Sequence, residues 1–293
     1  MKKILMTLAA SLCCIAIASA QDAETDRNQV YHIGLGNVQY AHHDEKMSTG
    51  EAVGKILSGI ATGHTSVQAT KYEADVLSAI ARGLSGSYRF RYNDKAAQMS
   101  ETLEEGDIKV DALIMNIQAQ SSSRTWKDKD DKTQVTTWYT GIVDVMLTLK
   151  DAKTGEVITN STISGRGSSS STYSTSDQAI RGALDGLSGR ITAWLNKYKP
   201  LQANLLEGAS AKKDKQKEVY IDLGSREGAF RGLHMGVFIV KTIAGKEAHQ
   251  QIGKLKVEAV EGEDISRCKV QSGGKEIKAA IDAGGQLKVI SID

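Results

Sequence analysis

The stretch VDVMLTLKDAKTGEVITNSTISGRG, residues 143–167, decides the fold class predicted for this chain. One face of its first half is entirely apolar: Val143, Val145, Leu147 and Leu149. Alternation with a period of two is typical of a β-strand that buries one face. The turn AKTG follows, where Gly155 can adopt the positive φ that a tight turn needs, and a second strand begins at Glu156. The stretch therefore predicts an antiparallel β-hairpin.

The segments on either side of this hairpin predict the rest of an α/β domain. Alternating apolar residues predict strands at 29–41, 87–94, 110–126 and 133–151. Helical spacing of apolar residues predicts helices at 70–84, 95–106 and 180–198. The resulting order is β-α-β-α-β-β-β-α, which indicates an α/β (α+β) sandwich with a mixed sheet.

A change of composition predicts the boundary to a second domain. In EGASAKKDKQKEV, residues 207–219, small and charged residues replace the periodic apolar ones, which predicts a linker at 207–217. The first domain then spans 21–206. After the linker, five short strands separated by glycine-rich turns and one helical segment, KEIKAAIDA, predict a small all-β, barrel-like domain at 218–293.

The first twenty residues have the features of a cleaved signal peptide. Lys2 and Lys3 precede an apolar run, and Ala18-Ser19-Ala20 has the small-x-small pattern that signal peptidase cuts. A lipid-modified cysteine normally follows a small residue, whereas Cys13 follows Leu12 and Cys14 follows Cys13. We therefore expect cleavage after Ala20, no lipid anchor, and a location in the periplasm of a Gram-negative bacterium.

The mature chain would carry no net charge and one cysteine. The full chain has 37 basic and 35 acidic residues, and removing the two lysines of the leader leaves 35 of each. This balance gives no electrostatic argument for binding nucleic acid or an anionic membrane. Cys268 would remain as the one thiol, so no internal disulfide can form, and its setting predicts a buried strand position.

Four short motifs look like functional sites, but each favours ordinary structure. The motif HHDEK at 42–46 lacks a second group of metal ligands. Gly34 and Gly36 lack the third glycine of a dinucleotide loop, which favours a strand with a bulge. The serines at 168–171 have no neighbouring histidine, and the aspartates at 128–131 lack the glycine and glutamate of a calcium loop. The sequence therefore predicts no catalytic, cofactor or metal site.

Residues 29–200 resemble the family of the curli secretion channel CsgG and its periplasmic relatives. The family's D-x-x-TG-E-V hairpin is matched by Asp151, Thr154, Gly155, Glu156 and Val157, after the helix YEADVLSAIARGL and the strand KVDALIMNIQAQ. The second domain is similar to the C-terminal domain of the flagellar assembly protein FlgT, through VYIDLGSREGAFRGLHMGVFIV and IGKLKVEAVEGEDISRCKV. Both relatives assemble envelope structures and neither is an enzyme, so the resemblance implies a non-catalytic envelope role.

The resemblance leaves a pore subunit of the outer membrane as the alternative. The curli channel inserts two apolar-faced hairpins per subunit into the membrane. Here the hairpin at 112–149 has an apolar half next to the domain and a polar distal half, with SSSR and KDKDDK around its tip. Trp126 and Trp138 could serve as an aromatic girdle, but the run between them is hydrophilic. The pattern therefore favours a subunit that does not insert.

The segment 48–66, STGEAVGKILSGIATGHTS, is the candidate contact with a protein partner or with another copy. Its four glycines weaken a helix by about 1 kcal/mol each, so a partner could order it. The residues predicted to make the contact are Val53, Ile56, Leu57 and Ile60. The alternative is a surface insertion without a role. Together these features predict a non-enzymatic exported protein that acts through protein–protein association in assembly or secretion of a cell-surface structure.

Overall fold

A computed structural model describes residues 27–41, 69–93, 106–167, 173–243 and 245–292. The chain divides into two compact units. The first lies within the range 31–195, and the second combines residues 27–30 with the described residues from Asn196 onward. The predicted signal peptide, 1–20, lies outside the described residues, as does the helix predicted at 95–106 apart from Gly106.

The first unit is an α/β sandwich, as the sequence predicts. Its elements in chain order are β1 (Tyr31–Tyr40), α1 (Ala69–Ser85), β2 (Phe90–Tyr92), β3 (Ile108–Lys127), β4 (Thr133–Asp151), β5 (Val157–Arg166) and α2 (Ser176–Tyr198). The sheet order is β2-β1-β3-β4-β5. Strand β1 runs parallel to β2 and β3, while β3, β4 and β5 are antiparallel, so the sheet is mixed.

The predicted hairpin at the centre of this unit is confirmed. Val145, Leu147 and Leu149 are fully buried, and Gly155 has a φ of 74° in the turn between β4 and β5. The carboxylate of Asp151 accepts the backbone N–H groups of Lys153 and Thr154 at 3.0 and 2.7 Å. The turn is therefore fixed both by glycine and by an aspartate that completes its hydrogen bonds.

Helix α2 lies directly on the sheet at two glycines. A Cβ at Gly141 of β4 would strike the carbonyl oxygen of Ala179, and one at Gly165 of β5 would strike that of Ala183. Because neither glycine has a side chain, the helix backbone can approach the strands closely. Helix α1 packs beside α2, where the hydroxyl of Thr192 donates to the carbonyl of Gly83 at 2.8 Å.

The second unit is a closed six-stranded barrel. Its strands are β6 (Gln202–Lys212), β7 (Lys215–Ile221), β8 (His234–Ile243), β9 (Lys246–Val260), β10 (Ser266–Ser272) and β11 (Leu287–Ser291), with α3 (Gly274–Asp282) before the last strand. The order around the barrel is β10-β7-β6-β11-β8-β9. The predicted barrel-like fold and its short helix are confirmed, with one more strand than the five predicted.

The linker predicted at 207–217 is wrong, because these residues belong to the barrel. They form the end of β6, the turn and the start of β7, and Gly208 pairs with Val219. The outer half of β6, from Glu207 to Lys212, is exposed, so it needs no apolar residues. Small and charged residues therefore mark a solvated hairpin here and not a connection between domains.

The residues just before β1 clamp onto the barrel. The Arg27 guanidinium donates to the carboxylate and to the backbone carbonyl of Asp222, both at 2.9 Å. The buried Asn28 amide accepts the N–H of Gln202 at 2.9 Å and donates to its carbonyl at 2.6 Å, and also donates to Glu227 at 2.9 Å. The barrel unit is therefore discontinuous in sequence.

We expect Gly141→Ala to lower the free energy of unfolding of the α/β unit by about 1–3 kcal/mol, because the new methyl group would push α2 off the sheet. The matched control is Gly189→Ala on α2, where nothing lies within 4 Å of an added Cβ. That change should raise stability by up to about 1 kcal/mol through helix propensity. Urea unfolding of both variants measures the two effects, and equal stability of the two would contradict the close contact.

The thiol of Cys268 should be inert in the folded protein. Cys268 is fully buried in β10, as predicted, and burial raises its pKa to about 12, so the reactive thiolate is scarce at pH 8. In the chain beginning at Gln21, reaction with a thiol reagent such as dithionitrobenzoate should wait for unfolding. The exposed position Ser272 in the same strand supplies the control, since Ser272→Cys should react at the rate of a free thiol. Rapid labelling of Cys268 in the native chain would contradict the assignment.

Candidate interaction surface

The predicted partner contact lies outside the described residues. This holds for Val53, Ile56, Leu57 and Ile60, and also for the motifs at 42–46 and 168–171. Their proposed roles stay predictions. The structure does place Gly34 and Gly36, which lie in β1 next to a register shift between Leu35 and Val38, and it confirms the predicted strand with a bulge.

The ionisable groups with shifted pKa values in the described ranges lie mainly in pairs that join elements or fix turns. The hydrogen bond from Lys71 on α1 lowers the pKa of Asp177 on α2, and the Tyr72 hydroxyl also donates to this carboxylate at 2.6 Å. Likewise Lys275 lowers the pKa of Asp214. In the same ranges, no three His, Cys, Asp or Glu side chains are grouped as a metal ion would require.

The helices of the described ranges include none that is both long enough and apolar enough to cross a membrane.

A long exposed piece of regular structure is the far end of the β3–β4 hairpin, residues 120–138, here called the arm. Strand β1 pairs with β3 as far as Ile114, and β5 pairs with β4 as far as Ile142. Among the described residues, the two strands of the arm pair only with each other, from Ser122 opposite Trp138 to the tip. At about 3.4 Å per residue, the paired strands of the arm extend roughly 25 Å beyond their neighbours.

The arm is exposed on both faces. Among its residues none is buried, and the side chains of Trp126 and Val135 are 46% and 63% exposed. An isolated two-stranded hairpin is at best marginally stable in water, because it buries little apolar surface. The arm therefore contributes little to the core of its own unit.

One face of the arm carries both tryptophans. The register places Trp126 opposite Gln134, Arg124 opposite Thr136, and Trp138 opposite Ser122, so these six residues share what we call the tryptophan face. The indole N–H of Trp126 donates to the hydroxyl of Thr136 at 3.1 Å, which holds the ring against the strand. Tryptophan and arginine are the residues most enriched at energetically important positions of protein interfaces.

The other face of the arm offers hydroxyl groups around a single apolar side chain. It carries Ser123, Thr125, Val135 and Thr137. No tryptophan or arginine lies on this face, so the two faces of the arm differ in chemistry. This difference provides matched positions for testing which face makes a contact.

The tip of the arm is a turn organised by Asp128. The Asp128 carboxylate accepts the backbone N–H groups of Asp130 and Lys132, both at 3.0 Å, and the side-chain amide of Gln134 at 2.8 Å. Asp131 completes the turn with a φ of 61°. The sequence predicted a charged turn here. The organising role of Asp128 was missed, although aspartate at the first position of a turn is a usual signal for this arrangement.

These hydrogen bonds make the order of the arm depend on pH. The hydrogen bond from Gln134, followed by the one from the N–H of Lys132, lowers the pKa of Asp128 below its ordinary value of 3.8. A carboxyl group whose pKa is lowered by folding stabilises the folded form fully above the ordinary pKa. This contribution is lost as the pH falls from there through the lowered value. The tip should therefore loosen only below about pH 4.

Replacing Asp128 should release the arm without unfolding the sheet. We expect Asp128→Ala to reduce amide-exchange protection of residues 123–137 at least tenfold, because two backbone N–H groups lose their acceptor. Asp130→Ala is the control, since the Asp130 side chain makes only a 3.9 Å ion pair with Lys132. Hydrogen exchange followed by mass spectrometry measures both variants, and equal protection in the two would show that Asp128 does not organise the tip.

No protein-family model matches the chain, and no curated protein matches it. Several solved structures, including the following three, are similar to parts of it. A hypothetical protein from Chlamydia trachomatis shares 14% identity over 58% of this chain and 97% of that one, with a TM-score of 0.30. A homologue of the neuraminyllactose-binding hemagglutinin from Helicobacter pylori shares 11% identity over 58% and 83%, with a TM-score of 0.30. A lipoprotein from Neisseria meningitidis shares 11% identity over 57% and 97%, with a TM-score of 0.21. At these TM-scores the likenesses carry no argument about function.

Proposed function

We propose that this chain is a non-enzymatic exported protein of the periplasm that acts through protein–protein association in the assembly or secretion of a cell-surface structure. The leader at 1–20 supports export, and the resemblance of residues 29–200 to the CsgG family supports an envelope role. The observation that carries the proposal is the tryptophan face of the arm. Two tryptophans and an arginine lie on an exposed hairpin that contributes little to the hydrophobic core, so packing of the core does not account for them.

The energetic argument favours a contact over a purely structural role. A hairpin without a third strand or a covering helix is marginal by itself, yet the arm is long and its tip is fixed by Asp128. A partner that covers the tryptophan face would bury large aromatic side chains that the folded chain leaves partly in water. The arm presents these side chains on paired strands whose tip Asp128 holds, which lowers the cost of ordering them upon binding.

The test compares the two faces of the arm in intact cells. Cross-linking followed by mass spectrometry of the envelope fraction identifies proteins joined to the wild-type chain. Trp126→Ala with Arg124→Ala should then weaken association with the partner at least tenfold, because such residues typically contribute more than 1 kcal/mol each. Val135→Ala with Thr137→Ala, on the opposite face, should leave it within about twofold.

A shortened arm separates binding from folding. Ser122 and Trp138 are opposite each other, so Asn-Gly can replace residues 123–137 as a two-residue hairpin turn. This variant should keep its thermal midpoint and lose the partner. Retention of the partner by the shortened chain, or recovery of the wild-type protein from the cytoplasm, would overturn the proposal. Detergent-dependent ring oligomers would instead favour the outer-membrane secretion pore.

A further inference from the structure

Strand β5 forms one outer edge of the α/β sheet. Among the described residues it pairs only with β4. Its residues 157–165, VITNSTISG, include no charged residue and no proline. Natural proteins commonly protect such an edge with charges or proline, because a free edge can pair with another strand. The edge of β5 lacks this protection along most of its length.

The direction of the free backbone groups follows from a hydrogen bond farther along β4. The N–H of Tyr139 donates to the carbonyl of Tyr173 at 2.9 Å, on the side of β4 that β5 occupies. Since backbone groups alternate along a strand, those of Val145 and Leu147 also point toward β5, where they oppose Ile163 and Ser161. The N–H and C=O groups of Asn160, Thr162 and Ser164 therefore point away from the sheet.

Arg190 confirms this direction and covers one end of the edge. Its guanidinium donates to the backbone carbonyl of Ser164 at 2.8 Å. At the other end, Ile158 is the extra residue at an irregularity in the β4–β5 pairing. Asn160 and Thr162 are thus the two positions where both backbone groups face outward in a regular strand. Beside them, Val157 and Ile158 leave 52% and 40% of their surface exposed.

We propose that this edge pairs with the same edge of a second copy of the chain. Outward N–H and C=O groups in strand spacing match another extended backbone, and pairing there would join two sheets into one. The uncharged sequence allows the strand to oppose itself without repulsion, which a charged edge would forbid. An antiparallel arrangement about a two-fold axis is self-complementary, so it closes after two copies.

The available groups select the register of this pairing. With the axis at Ser161, Asn160 of one copy lies opposite Thr162 of the other, and each such pair exchanges two backbone hydrogen bonds. In this register the N–H and C=O groups of Asn160 and Thr162, four groups in each copy, all form hydrogen bonds. The carbonyl of Ser164 keeps its hydrogen bond from Arg190. Self-association through β5 is independent of the arm, so it goes beyond the function proposed above and can fail without affecting it.

The substitution Thr162→Pro tests the proposed pairing of two β5 edges by removing one hydrogen-bond donor. Proline removes the N–H of Thr162, which faces away from β4, so the internal ladder is unchanged. Thr162→Val is the matched control, because it keeps the N–H and changes the side chain only. Sedimentation velocity over a dilution series gives the dimer Kd of each protein, and thermal midpoints verify that each is folded. Asn160→Lys with Thr162→Lys provides a second variant, in which like charges would face each other across the axis.

We expect the wild-type chain and Thr162→Val to dimerise with a Kd within twofold of each other. Thr162→Pro and the double lysine variant should raise the Kd at least tenfold. Amide exchange at Asn160 and Thr162 should slow as the wild-type concentration rises through its Kd. A wild-type chain that stays monomeric at millimolar concentration would overturn the proposal, as would folded proline and lysine variants with an unchanged Kd.

Discussion

The close approach of α2 to the sheet at Gly141 and Gly165 is the constraint on which the α/β unit depends. Two strands and a helix meet there with no side chain between backbone atoms, so a side chain at either glycine would push the helix away from the sheet. On β4 the face with Val143, Val145, Leu147 and Leu149 is buried from Gly141 toward the β4–β5 turn, and on β5 Ile163 is buried beside Gly165. On the other side of Gly141, the residues of β4 become half-buried or exposed. The same contact thus defines both the core and the start of the arm.

Local patterns in the sequence were sufficient to predict the secondary-structure elements that bury an apolar face. The alternation at Val143 to Leu149 predicted a strand, Gly155 predicted the turn after it, and Cys268 was correctly expected to be buried. The error at 207–217 has a physical cause, since a solvated hairpin buries too little to leave a hydrophobic pattern. Hydrogen bonds along its backbone hold it, and these do not depend on side-chain type.

The candidate surface could be predicted only in part. The polar half of the β3–β4 hairpin was visible from SSSR and KDKDDK, but the sharing of one face by Trp126, Arg124 and Trp138 depends on the register across two strands. A shift of one residue would have placed the tryptophans on opposite faces. Similarly, the free groups of Asn160 and Thr162 became evident only from the direction of a hydrogen bond at Tyr139. Pairing between strands determines both surfaces, and no local pattern encodes it.

The clamp of Arg27 and Asn28 on the barrel has a consequence for the order of folding. Arg27 and Asp222 are 195 positions apart in the chain, and the whole α/β unit lies between them. A ribosome synthesises a chain from its N-terminus, so Arg27 emerges long before Asp222 does. When Asp222 emerges, all strands of the α/β unit have already been synthesised, because that unit precedes Asp222 in the chain. The part of the barrel that binds Arg27 becomes complete only at that point. Formation of the clamp is therefore a late event, and it can occur only in a chain that has been synthesised at least as far as Asp222.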